Sequence, residues 1–315
     1  MSLTPAPFLA DVAGGPEGGR AYWLTTSDKM RIRAAVWSPE GADRGTVLLF
    51  PGRTEYIEKY GDSAKSLAER GYTTVAVDWR GQGLADRMLP DRRLGHVEKF
   101  RDFQKDVAAV VEMALALDLP RPWHLIGHSM GGAIGLRALF EGLPVASSCF
   151  TGPMWGIAMA PAMRPFGEFM TYVGPWLGLR NRIVPTTAIE GYVLSNPFED
   201  NQLTTDPDMF RMMQDQLKAH PDLVLGGPTV NWLSEGVKEC RALARKPSPD
   251  LPCLTFLGTN ERIVDTPAIH RRMGIWPKGR LEMVEGGEHE VLMETPEIRN
   301  RVFDQMAELF QSQTA

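Results

Sequence analysis

Trp123-His124-Leu125-Ile126-Gly127-His128-Ser129-Met130-Gly131-Gly132 is the stretch whose reading decides the fold. The run Trp123 to Ile126 suits a strand buried on both faces, and Gly132 to Phe140 reads as a helix. Between them the chain has to reverse sharply. A serine at the apex of so tight a turn sits in a sparsely populated backbone conformation, and the residues two before and two after must lack a Cβ for the chains to pass. Gly127 and Gly131 fill those places. Strand, sharp turn and helix together make Ser129 a candidate nucleophile at a strand's carboxyl end. The competing reading is a glycine-rich turn whose serine only caps the helix.

Further short apolar runs lie on either side: Thr46 to Phe50, Thr73 to Val77, Ala146 to Phe150, Cys253 to Leu257 and Leu281 to Val284. Helix-like segments separate them, notably Lys59 to Arg70 and Phe100 to Leu117, and Pro296 to Phe310 closes the chain. That alternation predicts an α/β doubly wound, mostly parallel sheet flanked by helices. Ahead of it, Ala21 to Thr25 and Met30 to Trp37 flank a polar turn and predict an antiparallel hairpin.

The alternation breaks between Met154 and Leu243, a stretch too long for an ordinary crossover. Residues 20–153 and 244–315 are therefore expected to form the core, with 154–243 inserted into it. The four glycines between Asp11 and Gly19 predict a flexible lead-in over residues 1–19.

A net charge of −5, with no basic run interleaved with aromatics, argues against a nucleic-acid partner. Cys149, Cys240 and Cys253 are too few and too scattered for a disulfide framework, so reduced thiols are expected. No secretory leader and no apolar run of membrane-spanning length is evident. The expectation is a cytoplasmic protein that can touch membranes without crossing them.

A serine hydroxyl needs a neighbouring imidazole to take its proton. His289 lies in Gly286-Gly287-Glu288-His289-Glu290, a loop between the last apolar run and the closing helix, where catalytic groups of parallel sheets gather. His128 adjoins the serine and should point elsewhere, and His124 lies within the strand. An acid is needed to orient the base. Glu261 and Asp265, in the loop after Cys253 to Leu257, both satisfy the chain order; Glu261 is preferred as nearer the strand end. Two backbone N–H groups should receive the developing oxyanion. One is that of Met130, and the other belongs to the loop beginning Pro51-Gly52-Arg53. No metal or organic cofactor is called for, and no H-E-x-x-H or Cys/His cluster suggests one.

The chain resembles the bacterial lysophospholipase and monoacylglycerol lipase group of α/β-hydrolases. The resemblance rests on Pro51 to Tyr60, Asp78-Trp79-Arg80-Gly81-Gln82-Gly83, Gly127 to Gly132, Gly226-Gly227-Pro228-Thr229 with Trp232, and Gly258 to Asp265. It implies the α/β-hydrolase fold, Arg53 as the second oxyanion donor where many relatives have a different residue pair ahead of it, and a helical cap made by the insertion. It also implies a serine esterase acting on monoacyl lipids. Met154, Trp155, Phe166, Met170 and Trp232 would then line an acyl site, although packing of the cap explains the same residues. Arg164, Arg180 and Arg182 near that cap could meet a phosphate head group, but read better as a solvated face. A short-chain carboxylesterase, a serine aminopeptidase and a non-catalytic binding protein on the same scaffold are the competing functions.

Overall fold

The computed structural model describes residues 3–158, 167, 169, 172–185 and 187–313. Among them the strands are β1 (Thr4–Ala6), β2 (Arg20–Thr25), β3 (Arg31–Trp37), β4 (Thr46–Phe50), β5 (Thr73–Asp78), β6 (Trp123–His128), β7 (Ser147–Thr151), β8 (Cys253–Gly258) and β9 (Gly279–Val284). They form one sheet in the order β1-β2-β3-β5-β4-β6-β7-β8-β9. The pairs β1–β2, β2–β3 and β3–β5 are antiparallel, and every later pair is parallel. The expected α/β-hydrolase architecture is what the chain adopts.

Alternate residues of the central strands serve different layers, as the two-residue period of a strand requires. Leu48, Phe50, Leu125 and Phe150 pack with Phe103, Val107 and Val110 of the helix Phe103–Ala116. Val47, Leu49, Ile126, Cys149 and Phe256 pack with Phe303, Met306 and Phe310 of the helix Pro296–Gln311. His124 joins the second layer, its ring stacked on Phe310 at 4.3 Å and edge-on to Tyr72 at 5.8 Å.

β4 has β5 on one side and β6 on the other, so the connections leaving β4 and β6 diverge. A crevice opens at such a switch point beyond the carboxyl ends of the strands. The Pro51–Tyr60 loop and the Ser129 turn meet there.

The lead-in is a correction. Residues 4–6 form an edge strand paired with β2 from Thr4↔Trp23 to Ala6↔Ala21, and Ala10–Ala13 form a helical turn. The physical reason lies in the glycines themselves. A Cβ at Gly15 or Gly19 would run into the buried Trp37 indole, so both permit close approach rather than freedom. The segment is also held by polar groups: Arg33 donates to Pro7 O at 2.9 Å, and Leu9 N–H donates to Glu58 Oε1 at 3.1 Å. Arg33 is itself buried between Glu58 (2.8 Å) and Asp78 (2.7 Å).

Between β7 and β8 the described helices include Tyr192–Ser195, Pro207–Ala219 and Val230–Ala244. Asp206 caps the second by accepting from Asp208 and Met209 N–H, and Thr229 caps the third by accepting from Trp232 N–H. Trp232, Cys240 and Leu243 belong to the main core cluster. The insertion's last helix is therefore a layer of the core, and it ends one residue beyond the expected boundary.

Candidate active site

Ser129 sits at φ 49° and ψ −117°, the left-handed side of backbone space that side-chain-bearing residues avoid. Its N–H donates to Thr151 O at 3.0 Å, tying the turn to the end of β7. The glycine requirement is met as expected. A Cβ at Gly131 would overlap Phe50 O, and one at Gly127 would press on Gly131 O and Phe150. Gly132 is needed too, since a Cβ there would meet Pro153.

His289 is buried, and its Nδ1 lies 2.6 Å from Glu261 Oε2. The other oxygen, Oε1, accepts from Ile263 N–H at 2.6 Å and Val264 N–H at 3.1 Å. Burial alone would raise the Glu261 pKa, but the His289 bond and charge and these two amides outweigh it and lower it. The Glu261 carboxylate is thus held ionised. Gly152, at φ 46°, lies against the pair, and a Cβ there would come within 3.0 Å of Glu261 Oε2 and His289 Nδ1. The other acid, Asp265, faces Arg271 at 3.6 Å instead.

Met130 is the first residue of the helix Met130–Phe140, where backbone N–H groups have no intrahelical acceptor. Arg53 follows β4, with Thr54 beyond it at φ 70°. Gln82 Nε2 holds this loop by donating to Gly52 O at 2.8 Å and Glu55 O at 3.0 Å.

Behind these groups lies a cluster that the sequence reading missed. Lys59 Nζ is 2.6 Å from Glu55 Oε1 and 2.6 Å from Glu290 Oε1. His128 Nε2 is 3.2 Å from Glu290 Oε2, close enough for charge attraction though out of line for a hydrogen bond. Tyr60 O–H and Gly52 N–H both donate to Glu55 Oε2. The His128 ring lies 4.8 Å from the His289 ring. Desolvation opposes a charge on His128, yet Glu290 and Glu55 raise its pKa. Glu55, His128 and Glu290 have the spacing of metal ligands, but the Lys59 ammonium already stands between the two carboxylates. The signal in the sequence was the i, i+4 pair Glu55–Lys59 and the carboxylate directly after His289.

A family described as Hydrolase_4, "Serine aminopeptidase, S33", matches residues 41–296. The chain belongs to this family. Lysophospholipase L2 of Escherichia coli K12 is 30% identical over 305 residues, covering 91% of this chain and 86% of that one. Monoglyceride lipase of Rattus norvegicus is 25% identical, covering 90% and 88%. Among solved structures, a soluble variant of monoglyceride lipase from Saccharomyces cerevisiae superposes with a TM-score of 0.71 at 20% identity, covering 99% of this chain and 94% of that one.

In this α/β-hydrolase the residues expected to bind substrate fall in different places. Trp232 is buried against Phe100, with the Arg53 guanidinium 5.6 Å from its ring. Met154 and Trp155 are buried in the core, and the Trp155 indole donates to Gly132 O at 3.2 Å. Trp155 borders a cavity of about 750 Å³ whose lining includes Ile157, Val237 and Arg271 but none of Ser129, His289, Glu261 or Arg53. Phe166, Met170 and Arg164 lie outside the described residues. Arg180 pairs with Glu98 at 2.8 Å, and Arg182 is exposed.

Proposed function

We propose that this chain is a serine hydrolase that cleaves the carboxylic ester of monoacyl lipids, lysophospholipids or monoacylglycerols, through an acyl-enzyme. The observation that carries it is the 2.6 Å His289–Glu261 contact beside a serine held at positive φ. Ser129 Oγ attacks the ester carbonyl while His289 takes its proton, and Glu261 stabilises the resulting imidazolium. The tetrahedral oxyanion rests on the Arg53 and Met130 amides. Collapse breaks the carbonyl–oxygen bond, and the leaving glycerol oxygen takes the proton from His289. Water deprotonated by the same histidine then attacks the acyl-serine, releasing the fatty acid and restoring Ser129.

The names of the relatives support the lipid substrates, and the insertion is read as a cap over the crevice. Gln202 O and Leu203 O accept from His289 N–H (3.4 Å) and Glu290 N–H (2.7 Å), so that segment leans on the base-bearing loop. Phe169, Tyr172, Val173, Trp176 and Leu177 are exposed, Trp176 by 89%, which supports peripheral contact with a lipid surface. Among the described residues no helix is long and apolar enough to cross a membrane.

The test is hydrolysis of a lysophospholipid, a monoacylglycerol, a short-chain ester and an aminoacyl amide by the wild type and Ser129→Ala. Ser129-dependent turnover of the long-chain lipids is expected. Turnover of the short ester alone would demote the lipid reading, and turnover of the amide alone would favour an aminopeptidase, the activity in the family's description.

A further inference from the structure

Arg53 joins two properties in one residue. Its amide is the proposed oxyanion donor, so its side chain springs from the residue that holds the reacting carbonyl. Its guanidinium, half-buried, has no carboxylate in ion-pair range among the described residues. Nη1 donates to Gly226 O at 2.7 Å, which engages one of the five N–H donors of an arginine. The Trp232 ring at 5.6 Å adds only a weak attraction. Of the other buried arginines, Arg33, Arg80 and Arg137 each lie on carboxylates, whereas Arg272 has no carboxylate among the described residues but donates to Lys246 O, Leu243 O and Ser248 Oγ. Arg53 shares the missing carboxylate with Arg272 but has one acceptor, Gly226 O, where Arg272 has three; desolvation lowers the Arg53 pKa to about 10, which leaves it charged at neutral pH. The walls are shaped around it, since a Cβ at Gly95 would press on Nη1 at 3.0 Å and one at Gly226 would strike Ile189.

Even a partly desolvated cation without a counter-ion is costly, and a ligand anion placed against its remaining donors reduces that cost. Covalent reach favours one position for that anion. In a 1-acyl-glycerol 3-phosphate skeleton, the phosphorus lies as many bonds from the ester carbonyl carbon as Cζ lies from the amide nitrogen of an arginine. An ester seated on the Arg53 amide therefore has the reach to bring its phosphate to the Arg53 guanidinium.

Resting on the acyl-transfer reading above, we propose that Arg53 is the headgroup-selecting residue, whose guanidinium receives the phosphate of a lysophospholipid and discriminates against neutral monoacylglycerols. A neutral glycerol leaves the cation unpaired, and a site built for a charged partner rejects the analogue that lacks it.

The experiment compares kcat/KM for a lysophospholipid and a monoacylglycerol of the same acyl chain in wild type, Arg53→Gln and Arg53→Lys. The ratio of the two values is expected to fall about 10- to 100-fold in Arg53→Gln, the worth of a charge-assisted hydrogen bond, and to recover in part in Arg53→Lys. An unchanged ratio overturns the proposal, including the case where both activities fall together because Arg53 merely fastens the Gly226 segment. A second measurement needs no turnover: calorimetric binding of 1-O-octylglycerol 3-phosphate and 1-O-octylglycerol, ethers that cannot be cleaved. Tighter, Arg53-dependent binding of the phosphate ether supports the proposal even if neither ester is hydrolysed, in which case only the acyl-transfer reading fails. Equal binding of the two ethers, or inorganic phosphate binding as tightly as the phosphate ether, overturns it.

Discussion

Ser129 and Glu261 show how far single residues could be read in advance. The tight turn at Ser129 was legible because such a turn imposes glycines at fixed offsets, and the place of His289 because a glycine-rich loop stood at a strand end. Glu261 and Asp265 were separated only by geometry: the first touches His289, the second faces Arg271. The amide variants test that assignment. Glu261→Gln should lower kcat by about 10³- to 10⁴-fold, since an amide cannot stabilise an imidazolium. Asp265→Asn should stay within about threefold on the same assay; a large loss there with little at Glu261 would reverse the roles. Glu55, Lys59, His128 and Glu290 were not legible as a group. Glu55 and Lys59 are neighbours, but His128 and Glu290 lie far along the chain, and only the fold brings the loops after β4, β6 and β9 together.

At the scale of the element, the parallel strands could be read closely because burial on both faces leaves uninterrupted apolar runs. The first 19 residues misled for an equally physical reason, since glycine serves both loose chain and tight packing. Which of the two holds depends on Trp37, far along the chain. The Ser129 turn carries a sharp prediction. Gly131→Ala would drive a methyl into Phe50 O, and such overpacking against backbone should cost about 1–3 kcal/mol or more. A lowered urea midpoint, or loss of soluble protein, checks it, and an unshifted midpoint would contradict the close approach. Lys59→Met is a test of the loop beyond β4. It leaves Glu55 and Glu290 buried without their shared ammonium, and breaking such a pair should destabilise by about 3–5 kcal/mol, read from the same denaturation curve.

For the molecule as a whole, the fold class was readable from the alternation of runs, whereas the placement of the insertion was not, because its last helix packs into the core. Global stability should carry the signature of His124. Desolvation between Phe310 and Tyr72 lowers its pKa from 6.5 to about 4 in the folded protein. Between those values the unfolded chain binds the extra proton, so the contribution is fully present above about pH 6.5 and is lost as pH falls toward 4. That loss is on the order of 3 kcal/mol. His124→Phe keeps a ring in the same packing and should flatten the stability profile over this interval, measured as urea midpoints from pH 7 to pH 4. An unchanged slope would mean that other groups set the acid sensitivity.

Lys59 gives the site one more character. The positive charge between Glu55 and Glu290 is tethered to the backbone, so its effective concentration there is set by the chain itself and not by the surrounding medium. Dialysis cannot strip it and chelators have no purchase on it. The loop bearing Arg53, the turn bearing Ser129 and the loop bearing His289 are therefore braced by a counter-ion that is made when the chain is made.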